Sequence, residues 1–110
     1  MRRILATLAV VGALLFSAGL AWADFDDGWA AYERGDYATA FQEFLPYAEQ
    51  GNAKAQYNVG LMYDKGWGVP ENDALAAKWY CQAAKQGEAD AQSNLGHMYA
   101  KGEGVSRDLV

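Results

Sequence analysis

A block of sequence recurs in this chain at a fixed offset. Residues 53–88 read AKAQYNVGLMYDKGWGVPENDALAAKWYCQAAKQGE and residues 89–110 read ADAQSNLGHMYAKGEGVSRDLV. A shift of 36 positions lays Ala53 on Ala89, Gln56 on Gln92, Gly60 on Gly96, Tyr63 on Tyr99, Gly66 on Gly102 and Val69 on Val105. Self-similarity at such a period is the mark of stacked helical or strand units, each unable to bury its own apolar face, rather than of one globular core. The stretch before it shares the register of the second half of the repeat: Ala40, Phe44, Ala48 and Gly51 align with Ala76, Tyr80, Ala84 and Gly87.

The repeated residue types say what each unit must be. Over about Ala53 to Lys65, Ala55, Gln56, Val59, Gly60 and Tyr63 fall on one side of a helix, spaced by three and four. A mid-helix glycine at Gly60 costs about 1 kcal/mol relative to alanine. Its return at Gly96 predicts a close helix contact that offsets this cost. Lys65-Gly66-Trp67-Gly68-Val69 then ends the helix, with Gly66 as a left-handed cap and Val69 turned back as an apolar plug. Pro70 blocks continuation and Asn72 caps the next helix. That helix, about Asp73 to Gln86, carries a stripe of Ala76, Trp79 or Tyr80, Ala83, Ala84 and Gly87, small residues around a large aromatic.

Residues 24–52 read as a divergent first pair. Asp27 is expected to cap its first helix, Gly35 to close it and Asp36 to cap the second, with Pro46 kinking that second helix. The third unit, residues 89–110, holds only a first helix, from about Ala89 to Lys101. Two expectations follow: the sequence is a piece of a longer product, or another molecule covers the face left open.

Ala-x-Ala-Gln-x-x-x-Gly-x-x-Tyr-x-x-Gly-x-Gly-Val, followed by a capping residue, Ala, Trp-Tyr, Ala-Ala and Gln-Gly, resembles the Sel-one-like repeat, a relative of the tetratricopeptide repeat. The likeness spans Ala53 to Asp108, and Ala31 to Ala40 is similar to a tetratricopeptide inter-helix turn. Asn72 stands where the family's usual cap is aspartate, which Asp108 keeps. The resemblance implies an all-α fold, a right-handed α–α superhelix (solenoid) of antiparallel helix pairs. Its first helices would line a concave groove, and its function would be that of an exported adaptor binding a protein or peptide.

The first residues agree with export. Arg2 and Arg3 precede an apolar run from Ile4 to Leu20 and a small-residue site, Ala21-Trp22-Ala23, which reads as a signal peptide over residues 1–23 cleaved before Asp24. The run sits at the lower edge of what spans a bilayer, so retention as an anchor is the competing reading. Cleavage predicts a periplasmic or secreted chain with no stable membrane insertion. It would remove two of nine basic residues and none of the fourteen acidic ones, taking the net charge from −5 to −7. A chain of that charge is a poor partner for nucleic acid or anionic lipid.

Little in the sequence points to chemistry. Cys81 is the single cysteine and His97 the single histidine, on different helices, which is too little for a metal site or a paired nucleophile and base. Gly66-x-Gly68 and Gly102-x-Gly104 lack the strand, lysine and serine of a phosphate-binding loop. No cofactor is expected. An enzyme remains as an alternative, because some cysteine-rich relatives of this repeat are reported to bind or hydrolyse penicillin-type substrates. Those relatives carry paired cysteines, and this chain does not. A structural oligomer, self-associating through the uncapped last helix, is the third reading.

The leading expectation is a non-enzymatic scaffold. The side of the first helices not used by repeated residues carries Lys54, Tyr57, Asn58, Leu61 and Lys65 in one unit and Asp90, Ser93, Asn94, His97 and Lys101 in the next. These sets differ between units, as a surface for partner choice should. Trp67 joins Tyr57, Asn58, Leu61, Lys65, Ser93, Asn94, His97 and Lys101 as a predicted contact residue, because Glu103 replaces it in the next unit and packing cannot demand an aromatic there.

Overall fold

The computed structural model describes residues 26–103. The proposed signal segment and its cleavage point, with Val105, Asp108 and Val110, lie outside the described residues. Within them the chain is helical throughout: α1 over residues 26–33, α2 Tyr37–Glu49, α3 Ala53–Lys65, α4 Asp73–Lys85 and α5 Ala89–Lys101. Each of α2 to α5 packs on its neighbour in sequence, giving the all-α solenoid of antiparallel helices.

Side chains and glycines punctuate the helices. Asp36 accepts from the Thr39 amide at 3.3 Å, Asn52 from Ala55 at 2.9 Å and Asn72 from Leu75 at 3.0 Å. Each satisfies an orphan amide of a first turn, an interaction worth about 1 kcal/mol. Gly66, at φ 70°, closes α3 by donating its N–H to the Met62 carbonyl. Asp27 does not cap α1, since residues 26 and 27 are already helical. Helix α2 runs through Pro46 as one element, with the Gln50 amide bonded to the Pro46 carbonyl at 3.1 Å. Gly87 leaves the apolar stripe of α4: at φ 95° it belongs to the turn after the helix.

Two apolar clusters hold the stack. The first gathers Ala31, Ala40, Phe44, Tyr47, Ala48, Ala55, Val59 and Met62; the second gathers Ala76, Ala77, Tyr80, Ala83, Ala91 and Met98. Phe44 and Tyr80, the aligned aromatics of α2 and α4, are both fully buried, and each contributes about 1.5–3 kcal/mol by leaving water. Each rests on a glycine. A Cβ on Gly60 would lie 2.7 Å from Tyr80 Cδ1 and 3.3 Å from the Ala76 carbonyl oxygen; one on Gly28 would lie 2.8 Å from Phe44 Cε1. The close contact predicted for Gly60 is therefore present, and Gly28 supplies the same contact one pair earlier.

Gln56, only 4% exposed, ties three helices together. Its amide donates to the Ala48 carbonyl at 3.1 Å and to Gln82 Oε1 at 3.3 Å, while Gln86 Nε2 donates to Gln56 Oε1 at 2.9 Å. On α5, Gln92 repeats the first of these bonds, donating to the Ala84 carbonyl at 3.1 Å. The repeat thus fixes not only the apolar stripe but the polar stitch between successive pairs.

Candidate functional site

Helices α3 and α5 occupy equivalent places in successive units and stand on either side of α4. Between them lies a groove of ≈ 530 Å³ lined by Tyr57, Leu61, Asp64 and Lys65 from α3, by Asn94, His97, Met98 and Lys101 from α5, and by Glu103 just beyond. The spacing explains the convergence. Tyr57, Leu61 and Lys65 follow at intervals of four on one side of α3, and Asn94, His97 and Lys101 follow at three and four on the facing side of α5.

The floor is apolar and one wall is polar. Met98 is buried, Leu61 is half-buried against the second cluster, and the Tyr57 ring leans on the Tyr80 ring with centroids 5.8 Å apart. Beneath them the Tyr80 hydroxyl donates to Asp64 Oδ2 at 3.1 Å. Burial pushes the Tyr80 hydroxyl well above the ordinary tyrosine value; the Asn94 amide opposes this and the Asp64 charge adds to it. Tyr57 is raised as well, first by burial and then by the charge of Asp90. Both phenols stay protonated at neutral pH, and that of Tyr80 donates to Asp64.

At the rim Lys65, His97, Lys101 and Glu103 are exposed. Two lysines face two carboxylates, Asp64 and Glu103, so the groove is close to neutral on a chain of formal net charge −5. It offers a greasy floor, donors and acceptors, and no dominant charge. That suits a polypeptide segment better than a phosphate or a polyanion. Among the described residues no group of three or more histidine, cysteine or acidic side chains is placed to hold a metal ion, and Cys81 is a free, half-buried thiol.

Three of the predicted contact residues lie elsewhere. Asn58 is not on the open surface: it is 4% exposed, and its Nδ2 is buried with no hydrogen-bond partner among the described residues. It holds on α3 the position that Asn94 holds on α5, the side turned to the preceding pair, and α3 is flanked by α2 as well as α4. Trp67 is a packing residue. Its ring stacks on Tyr37 with centroids 5.0 Å apart and planes 12° from parallel, and meets Tyr32 edge-on at 6.1 Å. The loop is drawn down there because Gly68, at φ 80°, lies so close to the Tyr37 carbonyl that any Cβ would collide with it and with the Ala38 nitrogen, 2.8 Å away. Ser93 is exposed on α5 but does not line the groove.

The sequence reading did not single out Asp64, Met98 or Glu103. Met98 repeats Met62, so it did not stand out among the residues that differ between units; Asp64 is replaced by Ala100 one unit on, and only the fold shows it beside Tyr80.

Comparison with known proteins agrees with the helical-repeat fold. The chain matches the Sel1 repeat over residues 53–88 and 89–110. It is 41% identical to a Sel1 repeat protein from Oxalobacter formigenes, whose crystal structure superposes with a TM-score of 0.69 over 74% of this chain and 34% of that one. It is 40% identical to a protective antigen of uropathogenic Escherichia coli that displays an SLR fold, with a TM-score of 0.72 over 84% of this chain and 21% of that one. Among curated proteins, the DAP3-binding cell death enhancer 1 of Rattus norvegicus is 50% identical over 38 residues, which is 34% of this chain and 8% of the relative. The chain thus spans less than a tenth of that relative and about a third and a fifth of the two structures. Together the repeat match, the shared fold and the helix pairs place this chain in the Sel1 repeat family, a family of helical-repeat protein-interaction scaffolds.

Proposed function

We propose that this chain is a non-enzymatic binding module that takes a peptide or protein segment into the groove between α3 and α5, and that it works in the periplasm or outside the cell after export directed by residues 1–23. The observation that supports this reading is the convergence of Tyr57, Leu61 and Lys65 with Asn94, His97 and Lys101 on one groove of ≈ 530 Å³. Recognition would combine apolar anchoring at Leu61 and Met98, hydrogen bonds from Tyr57, Asn94 and His97, and shape, with no covalent step. Interface hot spots favour such centres of apolar contact ringed by polar groups, and the near-neutral rim selects against strongly charged partners.

Two capture experiments from envelope extract, run side by side, test it. One uses the chain from Asp24; the other uses the same chain with Leu61→Ser, His97→Ala and Lys101→Ala, shown to be folded by circular dichroism. A partner held by the first and lost by the second is the expected result. Equal retention by both folded baits would overturn the assignment of the groove. Export is tested separately, by the N-terminal residue of the protein recovered from the periplasm or medium: Asp24 is expected, and an intact Met1 would contradict it.

A further inference from the structure

The two carboxylates that line the groove stand in different places. Glu103 is exposed at the rim, whereas Asp64 is half-buried and takes the Tyr80 hydroxyl on its Oδ2 at 3.1 Å. Tyr80 is itself fully buried, so this bond fixes where the carboxylate sits. Its partners end there. Among the described residues no lysine, arginine or histidine pairs with Asp64, and no second hydrogen bond reaches it. Lys65 and Lys101 line the same groove, but both are exposed and neither forms an ion pair with it. A carboxylate drawn halfway out of water with no counter-ion carries a cost that an incoming cation would relieve.

We propose that the segment bound in this groove is anchored by an arginine side chain, whose guanidinium enters beside the Tyr57 ring and pairs with the Asp64 carboxylate. The inference rests on the groove being a peptide site and names the residue it selects. A guanidinium suits the place better than an ammonium. It offers several donors in one plane, and two acceptors meet at this point of the floor: Asp64 Oδ1, and the side-chain oxygen of Asn94, whose amide group stands at the Tyr57 and Tyr80 hydroxyls. The half-buried Tyr57 ring adds an aromatic surface on which a guanidinium stacks and an ammonium gains less. Leu61 and Met98 receive the methylene stem. At longer range the formal net charge of −5 draws a basic segment toward the chain, while the near-neutral rim leaves the choice to the single carboxylate below.

The repeat keeps this site clear of its own helix stack. On α3 the following helix packs over Gly60 through Tyr80, and the loop between them lies against Tyr37 at the start of α2. At 100° per residue, Gly96, the counterpart of Gly60, lies on the side of α5 opposite Asn94, His97 and Lys101. A further helix pair stacked by the same code would cover Gly96 and leave the groove between α3 and α5 open.

The test titrates N-acetyl-arginine methylamide into the isotope-labelled full chain, followed by NMR, beside N-acetyl-citrulline methylamide, a neutral probe of nearly the same shape. Saturable shifts at Tyr57, Asp64 and the Asn94 side chain are expected with the arginine probe, at millimolar affinity, and binding of the citrulline probe should be at least about fivefold weaker. Asp64→Asn keeps an acceptor for Tyr80 and is expected to reduce the arginine probe to the level of citrulline, with the helical spectrum retained. Joint substitution Lys65→Gln and Lys101→Gln should tighten the arginine probe by removing two rim cations. Equal binding of the two probes, or arginine binding that survives Asp64→Asn, would overturn the proposal. Preference for N-acetyl-glutamate methylamide, lost in the double lysine variant, would overturn it as well and assign the groove to an acidic side chain. The capture experiment keeps the two readings apart. A partner lost by the Leu61, His97 and Lys101 variant but retained by Asp64→Asn overturns the arginine anchor alone, and equal retention by all baits overturns the groove as well.

Discussion

Helices α3 and α5 are near-copies in sequence and differ in what surrounds them. Around α3 the glycine is filled by Tyr80, the valine is sealed and the glutamine is bonded from two directions. Around α5 the same three positions hold a glycine that no described residue covers, a half-exposed leucine and a glutamine bonded to Ala84. The repeat code specifies the surface a helix offers, and the neighbours decide whether that surface becomes core or contact. Equivalent positions are therefore core in one unit and more exposed in the next.

The contrast should be visible in energetics. The largest effect is expected from Tyr80→Ala, which empties the site over Gly60: truncating a fully buried aromatic costs about 3–5 kcal/mol, to be read from the urea unfolding midpoint. A loss below about 1 kcal/mol would mean that the pairing of glycine and aromatic does not hold the stack. Next comes the glutamine pair. Gln56→Ala leaves the buried Ala48 carbonyl without its donor and should cost about 2 kcal/mol, whereas Gln92→Ala, on an exposed residue, should cost well under 1 kcal/mol. Equal costs would erase the distinction between the two helices.

A smaller effect concerns pH. The Tyr80 hydroxyl has its pKa raised by burial, so the folded chain resists ionisation that the unfolded chain accepts. Its contribution is full below the unfolded value of 10.0 and is lost as the pH rises from there toward the higher folded value. Tyr80→Phe should cost about 1 kcal/mol near neutrality, through the bond to Asp64. It should also flatten the alkaline loss of stability, measured as unfolding midpoints across that range. An unchanged alkaline limb would show that Tyr80 does not hold its proton through burial.

Much of this arrangement was legible in the sequence because it is local or repeated. The extent of α3, the caps at Asp36 and Asn72, and the tight approach at Gly60 follow from spacing and from residues whose role is set within a turn or two. The groove members Tyr57, Leu61, Lys65, Asn94, His97 and Lys101 were legible as the unrepeated side of a repeated helix. What was not legible depends on neighbours distant in sequence. Asn58 is sealed because α3 has helices on two flanks, and a single apolar stripe implies only one. Trp67 varies between units yet packs, because its partner Tyr37 belongs to the divergent first pair. Gly28 escaped notice because its unit is shorter and its register with Gly60 is not 36 positions.

The most direct test is the unfolding of two single variants, Gly60→Ala and Gly96→Ala, against the wild type. Each adds one methyl group and each gains the same helix propensity, about 1 kcal/mol. At Gly60 the methyl group meets Tyr80 Cδ1 at 2.7 Å and a ring with no room to retreat, so overpacking of about 1–3 kcal/mol should outweigh that gain and lower Tm. At Gly96 it meets nothing among the described residues and Tm should rise. Shifts of opposite sign are the predicted result; shifts of the same sign would contradict the claim that one repeated position is core in α3 and an open surface in α5.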